Sequence, residues 1–200
     1  MATPTTELEA VNIMLSAIGE SPVSSLNDPS LVDVSLAKSI LDETSVDIQS
    51  SGLHSNTEIN YPLTPTVNGE VLVPTNCARI DTVDVSRDID VVHRGNRLYD
   101  RDKRSYSDFT GTLYVDMVLL LDFTELPQHV RRLITVKAAR RFQARFMGSD
   151  TLYGFTADDE REAVLLFERG EKLNNDSNVL TDNIDTYKIL SRGAPRRAVR

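Results

Sequence analysis

Apolar positions recur at helical spacing near both ends of the chain and at strand spacing between them. Leu8, Val11, Leu15 and Ile18 form one stripe of a helix predicted over Thr6–Ile18. Thr6 and Glu9 make a capping box in which each side chain satisfies a free backbone N–H, and Gly19 is a natural stop. After the connector "ESPVSSLNDPS", Asp28 caps a second predicted helix with Pro29 in its first position, where a missing N–H does no harm. That helix carries Leu36, Ile40 and Ile48 toward a core and ends near Gly52. Between about 58 and 123 the signals change to strands. Asn68-Gly69 between apolar flanks predicts a hairpin, and "VVHRGNRLYD" predicts another turning at Gly95-Asn96. "TLYVDMVLLLDF" reads as a long strand buried on both faces near its end, and 100–111 reads as an exposed loop.

Helical spacing returns at Pro127 and continues to Phe146, with Gly148 as the stop. Ala138, Ala139, Phe142 and Phe146 share one face of this helix, while Lys137, Arg140 and Arg141 point away. Thr156 is the expected cap of a last helix, with Asp158, Asp159 and Glu160 in its first turn against the dipole. Ala163, Leu166, Phe167 and Leu173 are its predicted inner face, and Gly170 within it costs about 1 kcal/mol against Ala. The pattern predicts an α+β protein. It predicts that residues 1–57 and 124–175 form an α-helical bundle lobe, 58–123 a central antiparallel β-meander lobe, and 176–200 an extended C-terminal arm.

Composition narrows the function. The longest fully apolar run, "MVLLL" at 117–121, is far below the roughly 20 residues a membrane helix needs, so no membrane anchor is expected. "MATPTTELEAV" lacks the charged and apolar regions of a secretory signal. The single Cys77 cannot form an intrachain disulfide and fits a reducing compartment. His54, His93 and His129 show no spacing that suggests zinc, and none lies in a nucleophile motif. Asp100 and Asp102 begin a calcium-loop pattern that Arg104 and Ser105 break. No phosphate-binding glycine motif occurs. No catalytic residue, metal ligand or cofactor site is assigned.

Charge is unevenly distributed in a chain of net charge −8. The segment 127–148 has six bases and no acid, and 188–200 has five bases and no acid. Residues 1–58 hold nine acids against Lys38, and 149–187 hold ten acids against three bases. "VKAARRFQARF" interleaves bases with aromatics as single-strand binders do, which gives nucleic-acid binding by helix 127–148 as an alternative function. The net acidity opposes it, and Phe142 and Phe146 fall where a core would be. A tail-associated glycan hydrolase is a third reading, supported only by abundant carboxylates.

Five segments in order resemble the tail tubular protein A family, the head-to-tail adaptors of short-tailed bacteriophages (podoviruses). They are "AVNIMLSAIGESPVSSL", "SILDETSVDIQSSG", "EVLVPTNCARIDTV", "NRLYDR" and "ELPQHVRRLITVKAARRFQARFMGS". Leu53 stands where the family usually has an aromatic. The resemblance implies a non-enzymatic virion-tail protein, assembled in the host cytoplasm. It implies a homo-oligomeric, twelve-subunit ring between the capsid portal and the tail nozzle (tail tubular protein B). Such a ring surrounds the channel through which DNA leaves and helps carry tail fibres. Its helical lobe and C-terminal segment engage the portal and neighbouring subunits, and its β lobe faces the nozzle.

Charge segregation then reads as complementarity between ring neighbours, because a cyclic ring joins two different faces of one chain. The expected basic side is Arg131, Lys137, Arg140, Arg141 and Arg145; the expected acidic side includes Asp158, Asp159, Glu160 and Glu162. Lys188, Arg192, Arg196, Arg197 and Arg200 are expected to dock the arm on the portal.

Overall fold

The structure, a computed structural model, describes residues 4–26, 32–147 and 150–174, with only the backbone at 146, 147 and 150–156. The expectations for Asp28, Pro29, Gly148, the Phe146 side chain and the arm 176–200 lie outside the described residues.

The first helix, α1 (Glu7–Ala17), begins as its sequence requires. Thr6 and Glu9 exchange the two capping hydrogen bonds at 3.2 and 2.8 Å. Its end is equally local: Gly19 adopts φ +86, and the Glu20 N–H returns to the Leu15 carbonyl at 3.0 Å. α2 (Val32–Gln49) buries Val34, Ala37, Ile40 and Leu41, then continues the same face with Thr44, Ser45 and Gln49. Leu36, expected inside, is exposed. The inward stripe passes through small polar residues instead, a pattern that apolar periodicity does not register. The Thr44 hydroxyl satisfies itself by donating to the Ile40 carbonyl at 2.7 Å.

Five strands follow: β1 (Thr57–Leu63), β2 (Cys77–Thr82), β3 (Val91–Arg94), β4 (Arg97–Asp100) and β5 (Leu113–Leu119). All pairing is antiparallel, but the strands do not form a meander. β5, last in sequence, lies between β1 and β2, while β3 and β4 pair separately. β5 is the most deeply buried strand, so satisfying both its edges favours the central place. β1 is exposed over most of its length and takes an edge. The β3–β4 turn falls at Gly95-Asn96, with Gly95 at φ +65, as the sequence predicts. Asn68-Gly69 also turns, yet the chain beside it pairs with β4 only at the Leu72–Arg97 bridge.

α3 (Gln128–Met147) and α4 (Asp150–Asn174) close the described fold. Ala138, Ala139 and Phe142 are buried together with Val130 and Ile134. α4 starts six residues before the expected cap, so Thr156 lies inside it and Asp158 and Asp159 are beyond its first turn. Its inner face is Ala163 with the partly buried Phe167, whereas Leu166 and Leu173 are 46% and 71% exposed. The registration differs because Leu165 and Leu166 supply apolar matches on either side of the helix; Ala163 is the residue small enough for close packing.

Two apolar cores result. One joins α1, α2, α3 and Phe167 of α4, and includes Leu53; the other gathers Val71, Leu98, Phe109, Leu113, Val115 and Met117 under the strands. Among the described residues, fifteen buried side chains make up the helical core.

Candidate functional site

The chain passes from the helical core to the strands through a 3-10 turn at His54–Asn56 and returns after β5. Buried amides tie these two crossings together. The Gln49 side chain accepts from the Leu121 N–H at 2.7 Å and donates to the Leu121 carbonyl at 3.0 Å, as a strand neighbour would. Its amide also lies 2.9 Å from the Ser45 hydroxyl. Asn56 accepts from the Leu53 N–H at 2.7 Å and donates to the Leu119 carbonyl at 2.8 Å and the Gln49 carbonyl at 3.1 Å. A glutamine and an asparagine at core-facing positions were the available sequence signal, but neither announces a partner 63 or 72 residues away.

A second clasp joins α4 to the start of α3. Glu171 accepts from the His54 backbone N–H at 2.9 Å and lies 3.0 Å from the His129 ring nitrogen. Gly170 makes this approach feasible: a Cβ there would come within 2.6 Å of the His129 ring. The glycine that looks like a weak point in the helix is a packing requirement.

The basic residues of α3 are brought together with acids of the same chain. Arg141 binds Asp47 at 2.7 Å and the Thr44 hydroxyl at 3.2 Å, Arg145 binds Glu43 at 3.2 Å, and Arg140 binds Glu160 of α4. Arg131 serves as a backbone clamp, donating to the carbonyls of Leu126 at 2.6 Å, Thr5 at 3.0 Å and Thr124. Lys137 lies half-buried in a groove with Arg140, Arg141, Ala144 and Glu160. Asp158, Asp159 and Glu162 are exposed, and Asp158 pairs with Arg161 at 2.7 Å. Predicted residues from both charge groups therefore meet within one subunit, at Arg140–Glu160. Arg141 and Asp47 keep 40% and 53% of their side-chain surface exposed, so that pair contributes little to stability.

Other grooves open elsewhere on the described surface. One of about 500 Å³ runs between α1, α2 and the segment after β5, past Glu7, Lys38, Asp42 and Gln49. Lys38 binds Glu7 and lies 3.7 Å from Asp42. Donating a hydrogen bond to Glu7 raises the Lys38 pKa above its ordinary value against the opposing effect of burial. Burial raises the Asp42 carboxyl despite the attraction of Lys38. In the 100–111 loop, Asp100 is buried and accepts from the N–H groups of Asp102 and Lys103 at 3.0 and 2.9 Å, forming a turn rather than a calcium loop. Among the described residues no cluster of His, Cys, Asp or Glu is arranged to hold a metal, and no helix is long and apolar enough to cross a membrane.

A family model described as "Tail tubular protein" matches residues 8–176. Tail tubular protein A of Klebsiella phage KP34 is 30% identical over 154 residues, 76% of this chain and 80% of that protein. The molecule is a structural component of the phage virion tail, not an enzyme. It belongs to the tail tubular protein family.

Proposed function

We propose that the chain is the ring-forming adaptor between capsid portal and tail nozzle, surrounding the channel through which DNA leaves. Family membership across 8–176 is the observation that carries this reading. We further read 1–57 with 124–175 as the portal-side helical lobe and 58–123 as the nozzle-side lobe; the two separate cores support that division. Portal, tail tubular protein B and tail fibre are the proposed partners in a dodecameric ring. Nucleic-acid binding by helix 127–148 loses support because Phe142, one of the aromatics interleaved with its bases, is fully buried in the helical core.

Subunit contact follows from the faces left outside. Asp159 and Glu162 on α4 are exposed and have no ion-pair partner among the described residues. Lys137, Arg140, Arg141 and Arg145, with Arg131 behind them, are the proposed basic side and Asp158 and Glu160 part of the acidic one, so a neighbour would compete with the pairs these groups make inside the subunit. The arm residues Lys188, Arg192, Arg196, Arg197 and Arg200 are proposed to dock on the portal. The acidic balance of the chain suits a channel wall that does not hold phosphate.

Co-sedimentation of the full-length chain with portal rings of its own phage tests the adaptor role, run at two salt concentrations beside a form lacking 188–200. Stoichiometric binding lost on deletion is expected. Absence of binding by the full-length chain at either salt would refute the portal contact.

A further inference from the structure

A second basic surface lies on the β3–β4 hairpin. Register pairs Val92 with Tyr99 and Arg94 with Arg97, and the Leu72 bridge extends the latter row. Val91 and Leu98 turn into the core, so the alternate residues Val92, Arg94, Arg97 and Tyr99 occupy the outer face. Leu72 and Val92 remain 49% and 39% exposed there. The Arg94 guanidinium lies 3.9 Å over the Tyr99 ring, Arg97 lies 4.8 Å over Tyr106, and the two tyrosines meet edge to face. Arg97 is paired with Glu70 at 2.6 Å, but Arg94 has no carboxylate partner among the described residues. Stacking fixes the orientation of its donors, so a carboxylate binds it with less loss of side-chain freedom.

The complement of this face is on the same chain. α4 turns Glu162, Leu165, Leu166 and Leu173 outward, the leucines 60%, 46% and 71% exposed and Glu162 exposed without an ion-pair partner among the described residues. At 3.6 residues per turn Glu162 lies within this leucine stripe. An exposed stripe of this kind on a helix marks a contact surface.

We infer that the outer face of the β3–β4 hairpin docks on the outer face of α4 of a second copy of this chain, with Arg94 binding Glu162 between facing apolar side chains. This rests on the ring reading and assigns Glu162 to the neighbour's hairpin, leaving Asp158, Asp159 and Glu160 for the α3 side. Two different faces of one chain joined repeatedly make a heterologous contact, the kind that closes a ring. Charge favours this occupant: the hairpin is basic, the chain as a whole carries −8, and the apolar residues of both faces stay partly exposed among the described residues.

Sedimentation of the full-length chain and thiol cross-linking test the contact together. Arg94→Glu and Glu162→Arg should each weaken self-association about tenfold or more, and the double reversal should restore it. With Cys77→Ser in both chains, a Val92→Cys chain mixed with a Leu166→Cys chain should form a disulfide-linked pair, while neither variant alone does so. Thermal melting of each variant verifies that the exposed substitutions leave the subunit folded. Assembly that ignores both charge reversals and gives no mixed disulfide would overturn this contact and leave the ring standing. A chain that neither sediments as an oligomer nor cross-links would overturn both. Loss of single-stranded oligonucleotide binding in Arg94→Glu with self-association unchanged would assign the face to nucleic acid and overturn the inference.

Discussion

Replacing Gln49 by leucine keeps most of the side-chain volume and removes the amide that joins the two crossings. In the native chain Gln49 is 1% exposed and answers both backbone groups of Leu121, at 2.7 and 3.0 Å. The variant leaves that N–H and carbonyl without their partner, as well as the Ser45 hydroxyl. Each buried polar group so orphaned costs about 1–3 kcal/mol. Leu121 is only partly buried, so water recovers part of the loss and the expected sum is about 2–4 kcal/mol. That is a large share of a typical total stability of about 5–15 kcal/mol. Urea unfolding followed by circular dichroism reads it as a lower midpoint with an unchanged slope. Gln49→Glu should be no better, since a carboxylate accepts from the Leu121 N–H but offers its carbonyl no donor. A Gln49→Leu variant within about 0.5 kcal/mol of the parent would refute the claim that this amide holds the junction.

Other outcomes follow from the same geometry. Gly170→Ala, which in an ordinary helix gains about 1 kcal/mol, should instead destabilise by about 1–2 kcal/mol because its Cβ meets the His129 ring at 2.6 Å; a raised melting temperature would contradict this. Arg131→Met should lower stability by about 2–3 kcal/mol in thermal melts, because its guanidinium holds three backbone carbonyls, and a neutral result would show water replacing it. Burial pushes the Cys77 thiol above its ordinary 9.0, so little thiolate forms at neutral pH. Iodoacetamide should modify the native chain more slowly than the urea-unfolded chain at pH 7.5, and the native rate should still be climbing above pH 9; equal rates would refute the shielding.

Much of the local structure was legible because its causes are local. The Thr6–Glu9 box, the Gly19 stop and the Gly95-Asn96 turn use hydrogen bonds and φ values set within a few residues. The buried Ala138, Ala139 and Phe142 follow from helical period, and the succession of helices and strands gives the α+β class. The five motifs led to the family because their residue types and order survive without reference to any contact.

Tertiary structure decided what depends on distant partners. Placing β5 between β1 and β2 required knowing which edges needed satisfying, and strand period carries no such information. The pairing of Arg141 with Asp47 joins residues 94 apart, so sequence could show segregated charge but not which bases find acids inside the chain. Leu166 and Leu173 lie outside while α4 packs inward through Ala163 and Phe167, with Gly170 leaving room for the His129 ring, and none of these is set by α4 alone. Period and capping are properties of one element; packing, pairing and exposure are properties of two.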